Sequence, residues 1–206
     1  MKKYELTNNV HIVDGKTLYR IKALKDFDTI KAGYLGGFIE SESNLSHDGN
    51  CWISGNACVH GNARVYGSAR VLDNACVSGN SFIYGTAMVF DNAKVYDNAI
   101  LYGNAKVYGN AQVFGNAHVY GSANLNRRAF INSSDDIFWI SNVGSENGTL
   151  TAFKTDSGNI YCTRGCFCGA LDEFIDAVNK KDDSDKSKLF YLNHVIPMIK
   201  YKFDVN

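Results

Sequence analysis

The sequence has no apolar run long enough to span a bilayer, and it contains a single proline, Pro197. It has no charge bias either. Twenty-one basic residues balance twenty-one acidic ones, so no overall field draws the chain to nucleic acid or to an anionic membrane. The first residues, MKKYELTNNVHIVDG, carry lysines but no apolar segment of the signal-peptide kind, so no export signal is expected. In that setting the six cysteines read as reduced thiols of a cytosolic protein. Glutamate is missing from the whole stretch Gly49–Asn132, which removes one source of carboxylate partners for any histidine there. No phosphate loop, nucleophile elbow or paired-carboxylate signature is present. With proline nearly absent, nineteen glycines are left to make the turns.

What is present is repetition. From Gly49 to Asn132 the chain divides into fourteen hexads without an insertion. The first slot is Gly in ten of them and Asp in three (Asp73, Asp91, Asp97), and Asn fills the second slot ten times. The third slot is small throughout, from Cys51 and Ala57 to Ala129, and the fifth is always aliphatic, from Ile53 to Ile131. In an extended strand these two slots share one side, and slots four and six share the other. Ala and the aliphatic residue therefore face inward, and Gly-Asn bends the chain between short strands. A bend every six residues predicts a triangular coil whose turns stack as parallel strands about 4.8 Å apart. Ile39 and Leu45 keep the same register, so a degenerate first coil begins near Gly37.

Three strands per coil place residues eighteen apart on one outer face. The first face carries Tyr66, Tyr84, Tyr102 and Tyr120 in single file, beside Arg64, Phe82, Ile100 and His118. The second carries Trp52, Arg70, Met88 and Lys106, with Leu72, Phe90 and Tyr108. The third carries Cys58, Cys76, Lys94 and Gln112, with His60, Ser78, Tyr96 and Phe114. Such an aromatic file is read either as an interface between copies or with a partner, or as plain stacking that ties adjacent coils. Arg64, Arg70, Lys94 and Lys106 are too few and too divided among the faces to form a nucleic-acid track.

Both ends need covers against open strand edges. Residues 1–36 read as an N-terminal β cap, with a hairpin turning at Asp14-Gly15. Residues 37–132 are the repeat coil, and 133–206 a small α/β domain. In that domain DIFWISNV, TLTAFKT and NIYCTRG read as three strands, and GALDEFIDAVNKK as a helix. A charged loop, KKDDSDKSK, follows, and then a second helical segment that Pro197 kinks or interrupts. Cys162, Cys166 and Cys168 form C-x3-C-x-C, with His194 beyond them. Zinc knuckles use C-x2-C, so these are expected to be buried, reduced thiols, and no metal or other cofactor is expected. Cys58 and Cys76 stack one coil apart at a spacing compatible with a disulfide, although a cytosolic setting favours thiols. His60 and His118 point outward as surface histidines, available in principle as general bases.

The aliphatic residue followed four positions later by a small one, as in Val65 to Ala69 and Val71 to Ala75, resembles the left-handed parallel β-helix of hexapeptide-repeat proteins. Many of those are acyltransferases that use coenzyme A. They typically place a histidine near a subunit interface and often a loop protruding from the coils, which this array lacks. The chain further resembles hexapeptide-repeat proteins of bacteriophages and prophages, through YLGGFIESESNLS (Tyr34–Ser46), the GNA-x-V array, GSENGTLTAF and GCFCGALDEF. That resemblance implies a viral accessory protein in the bacterial cytosol, of a kind that often blocks a host defence component such as a CRISPR effector. The expectation is a non-enzymatic, homo-oligomeric binding protein whose C-terminal domain meets a host or phage protein. A coenzyme A-dependent acyltransferase stands as the alternative.

Overall fold

The computed structural model describes residues 2–126, 128–144, 146–182 and 185–205. Arg127 of the last hexad, and residues 183 and 184 of the expected charged loop, lie outside them. The fold is mainly β: a parallel β-solenoid of about five turns, an N-terminal antiparallel hairpin and a small C-terminal α/β region.

Each hexad contributes a two-residue strand, and strands eighteen residues apart pair in parallel, as Met88↔Lys106 and Val89↔Val107 show. One sheet runs through Arg64–Val65, Phe82–Ile83, Ile100–Leu101 and His118–Val119, and is here called the tyrosine face. A second, the cysteine face, runs from Leu35–Ile39 through Cys58–Val59, Cys76–Val77, Lys94–Val95 and Gln112–Val113 to Phe130–Ile131. The third starts at Trp52–Ile53 and ends at Asn124–Leu125. Inside, alanines and aliphatics from Ala57 to Leu125 are at or near zero exposure, in one continuous core. A small residue just before each two-residue strand, alanine except for Cys51 and Ser81, leaves room for the branched side chains opposite, which is how so thin a coil packs densely.

The first slot of each bend is left-handed: Gly55, Gly67 and Gly103 have φ near +68°, and Asp73, Asp91 and Asp97 have φ 57–60°. Aspartate tolerates that backbone and here gains from it. The Asp91 carboxylate accepts from the Gly109 N–H above it at 3.0 Å, and Asp97 from Gly115 at 3.2 Å. The second-slot asparagines chain from coil to coil, Asn62 to Asn80 to Asn98 to Asn116, at 2.9, 3.1 and 3.2 Å.

The stack is polar along its axis, because each coil donates N–H groups to the carbonyls of the next, as Trp52 does to Ala69. Unpaired carbonyls therefore collect at the N-terminal end and unpaired N–H groups at the other. The cover at each end matches. Lys3, 1% exposed, donates its ammonium to the carbonyls of Cys51 at 2.9 Å and Gly49 at 3.4 Å, and the Tyr4 hydroxyl donates to Leu45 at 2.7 Å. Burial lowers the Lys3 pKa, partly offset by Cys51. At the far end acceptors take over: Thr151 Oγ1 receives the Asn124 N–H at 3.0 Å, Ser134 Oγ that of His118 at 3.1 Å, and Asp136 that of Asn132 at 3.0 Å.

The hairpin strands Tyr4–Val13 and Lys16–Ala23 join at Asp14-Gly15, both with positive φ, as a two-residue turn of the primed type requires. The strand Leu35–Ile39 then enters the first coil through Gly36-Gly37. A Cβ on Gly37 would sit 2.5 Å from the Ala57 carbonyl oxygen, so this entry admits only glycine.

After the solenoid, four antiparallel strands form a sheet, Ile137–Val143, Gly148–Lys154, Ile160–Arg164 and Phe167–Ala170. The fourth was not expected from the sequence, because Phe-Cys-Gly-Ala carries no β-branched residue. Helix α1 is Leu171–Asn179; α2 (Lys186–Phe190) runs through a π-helical segment, Tyr191–Val195, into α3 (Ile196–Phe203). Pro197 opens α3 rather than breaking the segment: the wider turn before it accommodates the missing N–H. Among the described residues no helix is long and apolar enough to cross a membrane.

Candidate functional site

The tyrosine face is as periodic as its sequence. Tyr66, Tyr84, Tyr102 and Tyr120 stack with centroids 5.0, 5.1 and 5.0 Å apart and rings within 6° of parallel. The backbone spacing imposes this geometry, since free rings prefer offset or edge-on arrangements. The file ends edge-on against Trp139, at 4.3 Å, so the C-terminal sheet seals it. Tyr66 and Tyr120 are 37% and 39% exposed, and the two between them are half-buried. Phe82 and Ile100 flank the file half-buried, and His118 is exposed. Burial raises the pKa of Tyr66 and of Tyr102, with the neighbouring tyrosines adding to it, so these hydroxyls stay protonated. At the top of the face a hollow of about 430 Å³ opens between Glu42, His47, Arg64, Tyr66 and Phe82.

On the second face Trp52 departs from expectation. It points away from the coil axis but is fully buried, because Phe27 and Tyr4 of the cap close over its ring at 5.3 and 6.3 Å. Arg70 below it is engaged by Asp28 of the same cap.

The cysteine face differs most from what the pattern implied. Cys58 and Cys76 stack one coil apart, with their sulfurs 2.7 Å from each other. His60, expected to be a surface histidine, is 5% exposed. The tip of the hairpin causes this: Val13 packs on a small outer core of Leu18, Phe38 and Cys58, and Asp14 arrives beside the imidazole. The His60 Nε2 lies 3.6 Å from the Cys76 sulfur and 3.7 Å from the Asp14 carboxylate. The carboxylate beside His60 thus comes from the hairpin, outside the hexads. The Cys76 pKa is lowered, first by the Cys58 thiol donating to its sulfur and also by His60, while the same contact and burial push Cys58 up. A hollow of about 440 Å³ opens beside Cys76, towards Lys94, Tyr96 and Asp97. All six cysteines are free thiols.

In the C-terminal unit Cys162 is buried, and burial raises its pKa to about 12. Cys166 and Cys168 are exposed, not buried as expected: Cys166 lies in the turn between the third and fourth strands and Cys168 on the unforeseen fourth strand, opposite Thr163. Cys168 takes a hydrogen bond from Asn126 at 2.6 Å, and His194 lies on the π-helical segment against Phe190. These four residues do not assemble; among the described residues the one cluster of histidine, cysteine and carboxylate side chains close enough to share an ion is Cys58–His60–Cys76. The unit also exposes large apolar side chains on its last helices: Leu189, Phe190, Met198 and, at 90%, Tyr201.

Sequence periodicity found the tyrosine file and the Cys58–Cys76 pair, both eighteen residues apart. It missed the closure by Asp14, whose only signal was a hairpin long enough to reach back over the first coils. The chain matches no protein-family model and no curated protein sequence.

Proposed function

We propose that this is a non-enzymatic binding protein in which the solenoid is a rigid scaffold and the tyrosine face an interface between copies. The observation that carries this reading is the file of four stacked tyrosines on a coil that no loop interrupts. A face of that kind offers area and flat aromatic surface rather than a substrate pocket, and aromatic residues are enriched where proteins meet. The exposed Leu189, Phe190, Met198 and Tyr201 make the C-terminal unit the surface for a different protein partner. The hexapeptide resemblance favours a left-handed coil, and the phage-type motifs favour an accessory protein of the bacterial cytosol that blocks a host defence component.

Native mass measurement of the wild type and of the Tyr84→Ser/Tyr102→Ser double variant tests the interface. The expected result is an oligomer that dissociates in the variant. A wild-type protein that stays monomeric at high concentration removes the interface between copies. Coenzyme A serves as the discriminating ligand: a rise in melting temperature with coenzyme A would replace this reading with an acyltransferase, since a ligand of the folded state must stabilise it. In that case His118→Ala should abolish turnover.

A further inference from the structure

We propose that Cys58, His60 and Cys76, closed by Asp14, form a binding site for a divalent metal ion of the zinc type, which pins the hairpin tip to the coil. This goes beyond the interface reading and does not depend on it.

The donor set is of the right kind. Two thiols and an imidazole select zinc or another borderline-soft ion over magnesium or calcium. Their ligand atoms lie within 4.8 Å of one another, on two adjacent strands and at the bend that follows the first of them. Zinc–sulfur bonds of about 2.3 Å and zinc–nitrogen bonds of about 2.0–2.1 Å give tetrahedral edges of about 3.8 Å between sulfurs and about 3.5 Å between sulfur and nitrogen. The Cys76 sulfur and His60 Nε2, 3.6 Å apart, already form such an edge. The two sulfurs, at 2.7 Å, must separate by about an ångström to admit an ion. Cys76, the less buried of the two, can make that movement into the hollow that both line, whereas Cys58 is a buried member of the outer core with Leu18 and Phe38.

The fourth position belongs to the hairpin. Asp14 Oδ2 stands 3.7 Å from the same imidazole nitrogen, close to the edge expected between two ligands of one ion. Its side chain is 78% exposed, so the carboxylate is free to swing inward. The apolar surroundings, Val13, Leu18 and Phe38, shield the ion and strengthen its bonds to the thiolates. Two ligands come from neighbouring coils, one from the bend and one from the cap. The ion therefore ties three pieces of chain whose only other links here are strand pairing and a few side-chain contacts.

The test uses the full chain, purified anaerobically under reducing conditions, stripped of metal, and titrated with Co2+ and then Zn2+. The expected result is one Co2+ per chain with the visible absorption of a tetrahedral ion and a thiolate charge-transfer band, both displaced by Zn2+. Zinc should raise the melting temperature, and a chelator should reverse the rise. Cys76→Ser should weaken zinc at least tenfold, and Asp14→Asn by about tenfold, the lower end of what partners of a metal site contribute. Cys166→Ser/Cys168→Ser should bind as the wild type does. Cys76 and Asp14 are not in the solenoid core, so circular dichroism should report both variants folded. The proposal is overturned if the folded, reduced protein takes up no stoichiometric metal. It is equally overturned if Cys76→Ser binds as tightly as wild type, or if differential alkylation finds Cys58 and Cys76 joined as a disulfide in the anaerobic protein.

Discussion

The tyrosine face and the cysteine face share one backbone, one strand spacing and one floor of alanine and aliphatic side chains, yet their chemistry diverges. On the first, the same residue recurs through four coils, and its neighbours above and below are copies of itself. On the second, two cysteines, Cys58 and Cys76, give way to Lys94 and then Gln112, and an element from outside the repeat settles on the first two. Periodic residues can stack, but a site with distinct roles needs several different groups at one place. In this molecule that place is where the hairpin, which has no six-residue pattern, crosses the coil.

The floor common to both faces should be the most sensitive part. Leu101→Ala, beneath the tyrosines, removes a fully buried side chain and should cost about 2–5 kcal/mol, read from the urea unfolding midpoint. A cost below about 1 kcal/mol would mean the coil can collapse on a void, contrary to the dense packing described. Gly37→Ala separates the faces. The new methyl meets the Ala57 carbonyl, so the strand bearing Phe38 must shift, at a cost of about 1–3 kcal/mol. Zinc affinity should fall in this variant while any association between copies through the proposed tyrosine interface is kept; the opposite outcome would reverse the roles proposed for the two faces.

Tyr102→Ser removes two stacks worth about 0.5–1.5 kcal/mol each, whereas Tyr102→Phe, which keeps the ring, should stay close to the wild type. If the two variants lose the same amount, the hydroxyl and not the stack holds the file. The smallest effect is electrostatic. Glu40, at the edge of the cysteine face, accepts from Lys16 and from the Gly61 N–H at 2.7 Å, and both depress its pKa. Its contribution is present above the ordinary glutamate value of about 4.3 and is lost as pH falls through the lower folded value. Unfolding midpoints measured from pH 6 to pH 3 should therefore fall more steeply for the wild type than for Glu40→Gln. Parallel curves would remove Glu40 from the hairpin's attachment.

The solenoid was legible because it obeys arithmetic: a small residue and an aliphatic one, two positions apart, every six. The tyrosine file and the cysteine pair needed only multiplication of that period by three. What escaped lies where pieces without a period meet the coil. Trp52 and His60 occupy outward slots, and nothing in their own hexads says that Phe27 or Val13 will cover them. Nothing in the sequence around Lys3 signals burial, and only the axial polarity of the stack explains why it is buried among carbonyls. In the C-terminal unit the strand Phe167–Ala170 has weak strand character by itself and forms because Ile160–Arg164 offers it an edge.

The three-strand coil also governs how such a chain can change length. Inserting a single hexad would turn everything after it by a third of a revolution. The tyrosine file would break, and the C-terminal sheet would be delivered to a different side of the rod. Inserting eighteen residues, the distance between paired Lys94 and Gln112, would leave every file in line and carry the far end about 4.8 Å further along the axis. Duplication or loss of coding sequence is thus tolerated in one size only. The separation between the zinc-type site near one end and the apolar helices at the other can be reset in whole coils, with their relative bearing unchanged.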